Sequence, residues 1–146
     1  MAAALPGCGG ATEPVATPAP TATATPAPAD PAVGRVALAY LRAVMRNDYD
    51  AALPMVASEQ RDVLKALALG DGTGKRAKVT ADVSVGEVVV DGDRASVSIV
   101  GRLCRRVGGG APDCVENDDP RTDSPMFRVS LVKQRGWKVV YNFGEG

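Results

Sequence analysis

The sequence predicts an α+β domain in which N-terminal helices pack on a curved antiparallel sheet, preceded by a disordered tether. Three observations carry this reading. Apolar residues from Val33 to Met45 recur at helical spacing. From Val79 onward the period changes to two, with turn residues between the alternating runs. Residues 1–31 hold seven of the eleven prolines and none of the six aromatic residues. Such a stretch cannot offset its ordering entropy by burying apolar surface. Residues 11–31 therefore read as an Ala/Thr/Pro-rich tether reaching roughly 3 Å per residue, and 32–146 as the folded domain.

Asp30-Pro31 is a helix-start signal, with Asp as N-cap and Pro in the first turn. Val33, Val36, Ala37, Tyr40, Leu41, Val44 and Met45 form one stripe, and Asn47 is the expected stop. Asp48 or Asp50 is placed to cap a second short helix running through Ala57, with Pro54 in its first turn or at a kink. Ser58 is placed to cap a third helix carrying Val63, Leu64, Leu67 and Ala68 and ending at Gly70. Val79, Ala81, Val83 and Val85 then alternate with polar residues, and Val88-Val89-Val90 meets the hairpin turn Asp91-Gly92-Asp93. Ala95, Val97, Ile99 and Leu103 share one face, with Ser96, Ser98 and Arg102 on the other. Gly86 and Gly101 mark bulges or bends. Phe127, Val129 and Leu131 form the next strand, and Trp137, Val139, Tyr141 and Phe143 the last.

Seventeen basic residues balance seventeen acidic ones, which argues against an electrostatic grip on nucleic acid. The absence of His excludes imidazole catalysis and His-ligated zinc. No apolar run approaches the roughly 20 residues that span a bilayer. Gly70-Asp71-Gly72-Thr73-Gly74-Lys75-Arg76 fails as a phosphate loop. Its glycine spacing is one residue short, Arg76 stands where Ser or Thr is needed, and a helix precedes it. Asp113, Glu116, Asp118, Asp119 and Asp123 crowd one loop, but their spacing matches no EF-hand, and exposed ion pairs with nearby arginines are the default. No metal or other cofactor is expected. Cys104 and Cys114 flank Gly108-Gly109-Gly110, so two strands joined by that loop would bring them face to face as a disulfide; the alternative is two buried thiols.

Leu5-Pro6-Gly7-Cys8 resembles a bacterial lipobox, whose Cys receives a diacylglycerol, and this resemblance implies that residues 1–10 are a truncated leader and lipobox remnant. Pro6 departs from the usual pattern, and Met1–Leu5 is short for the apolar run, so a start further upstream is expected. The resemblance implies a membrane partner through a lipid anchor at Cys8 and an extracytoplasmic location. With Cys8 lipidated the remaining cysteines are even in number, as an oxidising compartment favours.

The stretch Ala39–Ala52 is similar to the helix, acidic-aromatic turn and Ala-rich second helix that open nuclear transport factor 2-like (cystatin-like) domains. Gly136-Trp137-Lys138-Val139-Val140 looks like their final strand. Together with the tether, this resembles an actinobacterial-type lipoprotein carrying that domain. The resemblance implies a cone between sheet and first helix, lined by Tyr40, Met45, Val97, Ile99, Phe127, Trp137 and Tyr141. It also admits isomerase-like or dehydratase-like members that work without His, drawing here on Tyr40, Tyr49, Tyr141, Asp48, Asp50 and Asp82. None of these acids sits on an apolar stripe where desolvation would raise its pKa. The resulting expectation is a non-catalytic envelope protein that binds a small apolar ligand in the cone. Its alternatives are a docking module for an envelope protein with a filled core, and a His-free enzyme.

Overall fold

Helix α1 (Pro31–Met45) starts and stops where its sequence says it should. The Asp30 carboxylate accepts the Ala32 N–H at 2.9 Å, and Pro31 occupies the first turn. At the other end Asn47 takes a left-handed conformation (φ 57°). Its N–H donates to the Val44 carbonyl and that of Asp48 to the Ala43 carbonyl, so the last carbonyls of the helix are satisfied. The structure, a computed structural model, describes residue 10, residues 30–70 and residues 76–142. The Leu5–Cys8 motif, nearly all of the predicted tether, the loop residues 71–75 and Phe143 lie outside the described residues.

Over the described residues the chain is α+β. After α1 come α2 (Tyr49–Ala52) and α3 (Arg61–Gly70), then a five-stranded antiparallel sheet. The strands are β1 (Lys78–Asp91), β2 (Arg94–Arg106), β3 (Asp113–Asn117), β4 (Arg128–Gln134) and β5 (Gly136–Val140). Strand β2 is the hub. One of its edges pairs with β1 throughout; on the other, Arg94–Ser98 pairs with β4 and Gly101–Arg105 with β3. The order is β1-β2-β4-β5, with β3 beside the far half of β2.

Helix α1 lies across one face of the sheet. Val33, Ala37, Tyr40 and Leu41 pack with Val97, Ile99, Leu103, Val129, Leu131 and Val139 in one buried cluster. Each fully buried aliphatic side chain there contributes about 1.5–3 kcal/mol. The opposite face carries Ser96, Arg102 and Ser130, so the two-residue alternation read from β2 holds.

Both glycines read as bulges or bends have a structural reason. The ladder pairs Val85 with Ile99 but Val88 with Val97, so Gly86 and Glu87 together oppose Ser98. Ser98 is buried; its Oγ accepts the Glu87 N–H at 2.8 Å and donates toward the Pro120 carbonyl. A Cβ at Gly86 would stand 3.1 Å from the Pro120 Cα. Gly101 has φ 120°, and a Cβ there would come 2.1 Å from the Asp82 carbonyl oxygen.

Three local expectations need correction. The second helix does not run through Ala57. It stops at Ala52, and Leu53–Met55 forms a 3₁₀ turn around Pro54. Val56 is extended because it forms a parallel bridge with Val139, and Ala57 N–H donates to the Val139 carbonyl at 2.9 Å. This segment covers the outer edge of β5. Ser58 does not cap α3: it opens a 3₁₀ turn, and its hydroxyl donates to Glu59. Tyr141 leaves the last strand, since its N–H donates to Gln60 Oε1 at 2.5 Å and its carbonyl accepts from Gln60 Nε2 at 3.2 Å.

Candidate functional site

The apolar stripe of α1 is longer than the packed part of the sheet beneath it. Its C-terminal half presents Tyr40, Leu41, Val44 and Met45 to a half-open cleft of about 550 Å³. Val129, Val139 and Tyr141 form the facing wall, and Ser124, Pro125 and Met126 of the β3–β4 connection form the third. The lining is mainly apolar, and among the described residues it contains no carboxylate.

Its main polar feature is a tyrosine pair. The Tyr40 and Tyr141 hydroxyls lie 2.5 Å apart, with rings edge to face at a centroid distance of 6.3 Å. One hydroxyl donates to the other. Burial, followed by the hydrogen bond from Tyr141, holds the Tyr40 phenol well above its ordinary pKa. Burial also raises Tyr141, opposed by its bond to Tyr40 and aided by Tyr49. Both stay neutral donors over the physiological range. Arg128 also borders the cleft, but its guanidinium is engaged: Nε donates to Ser96 at 2.7 Å, and Nη1 pairs with Asp123.

Of the residues predicted to line a cone, Tyr40, Met45 and Tyr141 come together at this cleft. Val97, Ile99, Phe127 and Trp137 are packed into the core instead. The space between helix and sheet is thus filled over β2 and open only at the end of α1. Pro125 and Met126 carried no signal in the sequence, because an irregular connection has no periodicity to read.

The candidate acids serve structure. Asp48 caps α2 through the Ala51 N–H and lies 3.6 Å from Arg76. Asp50 is exposed in the first turn of α2, and Asp82 points to the outer face of β1. Cys104 and Cys114 stand opposite one another in the β2–β3 ladder, 4.0 Å apart at Cα, and form a disulfide. Among the described residues no group of three or more His, Cys, Asp or Glu is placed to hold a metal ion, and no helix is long and apolar enough to cross a membrane.

Fold and site together define an α+β domain with a disulfide-pinned hairpin and a half-open apolar cleft beside its first helix. No family model and no curated protein matches the chain. Among solved structures, the chain is similar to a SEC-C motif containing protein from Rhodopseudomonas palustris. The TM-score is 0.42 at 16% identity, covering 75% of this chain and 77% of that one. Likeness at that level carries no argument about fold family or function. The expected nuclear transport factor 2-like (cystatin-like) lipoprotein is not upheld: no family model and no curated protein matches the chain. The stretches that suggested it, Ala39–Ala52 and Gly136–Val140, encode a capped amphipathic helix and an alternating strand. Many α+β domains share those patterns.

Proposed function

We propose that this domain captures a small apolar ligand, without chemistry, in the cleft at the end of α1. The sheet and α1 then act as a cone whose depth is filled and whose mouth is the binding site. The observation that carries this reading is the Tyr40–Tyr141 pair set in an otherwise aliphatic, half-open wall. Few polar groups at fixed positions in an apolar concavity are the usual makeup of a small-molecule site. Among the described residues the lining holds no carboxylate, which favours capture over turnover.

The protein is held outside the cytosol in this reading, with a lipid on Cys8 anchoring it to a membrane and the Ala/Thr/Pro-rich segment as spacer. The Cys104–Cys114 bridge supports an oxidising compartment, and the Leu5–Cys8 spacing supports the anchor. A mass spectrum of membrane-extracted protein tests it: the account expects a lipid-modified Cys8, and an unmodified Cys8 on a chain retaining Met1 contradicts it.

The binding reading is tested by titrating the full chain with ANS, an aromatic sulfonate whose fluorescence rises in apolar surroundings. Saturable fluorescence enhancement is expected, lost in Val44→Trp, which fills the cleft. Enhancement that survives Val44→Trp unchanged contradicts it. A protein-docking module is the second reading, favoured by Leu69 of α3, which is 83% exposed. A Leu69→Ser chain that loses an envelope partner while the dye still binds supports that role.

A further inference from the structure

The two edges of the sheet are treated differently. Residues 56–60 cover the edge of β5, whereas no described residue pairs with the edge of β1. That open edge is 14 residues long. Val79, Ala81 and Val83 face the core side, yet all three remain half-buried, while Ile99 and Leu103 beside them on β2 are fully buried.

The ladder also fixes which backbone groups are free. Ile99 turns its N–H to the Phe127 carbonyl at 2.8 Å, and its carbonyl accepts from Asn117 at 2.7 Å, both away from β1. Alternation along β2 then turns Cys104 toward Thr80, its partner on β1. The close 4.0 Å approach of Cys104 and Cys114 agrees, since such pairs exchange no backbone bonds with each other. On β1 it is therefore Val79, Ala81 and Val83 whose N–H and C=O groups point to the open edge.

We propose that the edge of β1 from Lys78 to Asp82 pairs antiparallel with the same strand of a second copy, about a two-fold axis at Thr80. In that register Val79 bonds Ala81 of the second copy on both sides of the axis, and the pairing ends at Ala77, whose N–H is given to the Arg46 carbonyl at 3.0 Å. Lys78 falls opposite Asp82 twice, once on each side of the axis, in the closely spaced pairs where opposite charges gain most. The apolar residues of both copies meet on the helix side, and Thr80 meets Thr80 between the charges. Any two-fold pairing matches residues of equal parity, and the axis at Thr80 gives these two charges opposite partners. The edge closes beyond this stretch, where the Gly86–Glu87 bulge breaks it.

Sedimentation velocity of the full chain over a range of concentrations tests the pairing. A reversible dimer is expected. Asp82→Lys sets lysines against lysines and should weaken it about tenfold, as should Lys78→Asp with acids against acids. The double variant Lys78→Asp/Asp82→Lys should restore wild-type affinity. Both positions are exposed, so the variants keep the fold. Hydrogen exchange should show concentration-dependent protection at the amides of Val79 and Ala81. A chain that stays monomeric at every concentration overturns the proposal. So does a dimer indifferent to the single reversals, or one that the double variant does not restore.

Discussion

The indole Nε1 of Trp137 donates to Oδ2 of Asp30 at 3.2 Å, across 107 positions of sequence. The other carboxylate oxygen caps α1. One side chain therefore fixes both the start of the helix and its seat on β5. The Ala32 N–H first, and the Trp137 indole second, hold the Asp30 carboxyl below its ordinary value of 3.8.

Asp30→Ala should accordingly lower the melting temperature at neutral pH and shift the fluorescence of the single tryptophan. Because the native pKa is depressed, the stabilising contribution is complete above about pH 3.8 and disappears as pH falls through the native value. The gap between wild type and variant should narrow in acid. A gap that stays constant from neutral to strongly acidic pH contradicts the assignment.

The tyrosine pair predicts alkaline behaviour of opposite sign. Tyr40 is raised above its ordinary value of 10.0, so the unfolded chain releases that proton first, and stability falls as pH rises past about 10. Ultraviolet titration should show Tyr40 and Tyr141 ionising only as the protein unfolds. Tyr40→Phe should make alkaline unfolding less steep. Smooth ionisation of every tyrosine near pH 10, with the fold intact, is the opposing result.

Opening the Cys104–Cys114 bridge should destabilise the domain by about 3 kcal/mol on the loop-entropy relation for a separation of ten residues. Denaturant unfolding with and without reductant, together with Cys104→Ala/Cys114→Ala, measures this. The β2–β3 hairpin should lose exchange protection before the β1–β2 ladder does. Equal midpoints for oxidised and reduced protein count against a structural role.

Gly101→Ala should cost more than an ordinary glycine replacement in a strand. Its φ of 120° suits no side chain, and a Cβ would collide with the Asp82 backbone, which cannot swing aside. A loss of about 2 kcal/mol or more in denaturant unfolding is expected. Gly92→Ala, where a Cβ meets nothing, separates conformation from collision by losing less. Equal losses at the two positions contradict the argument.

Much of the architecture was legible because it rests on local signals. Asp30-Pro31 and Asn47 bounded α1 through capping chemistry, and alternation sorted Val97, Ile99 and Leu103 from Ser96 and Ser98. The glycine run between Cys104 and Cys114 announced their hairpin. Features set by distant contacts were not legible. Ser58 looks like a cap, but the bridge between Val56 and Val139 dictates the path of that segment. Tyr141 continues the strand pattern, but Gln60 takes its backbone groups. The cleft was half legible: the helical stripe gave Tyr40 and Met45. How deep the core fills depends on how Phe127 and Trp137 pack, which no spacing encodes. The apparent family likeness failed for a related reason, since caps and alternation report local structure and not ancestry.

The most direct test of ligand capture is heteronuclear NMR of the labelled full chain during titration with ANS. The account predicts saturable shifts clustered on Tyr40, Val44, Met45, Met126 and Tyr141, absent from the core signals of Val97 and Ile99. Shifts confined to the outer sheet face around Ser96 and Ser130 or to Leu67 and Leu69 of α3, or no shifts at all, would contradict it.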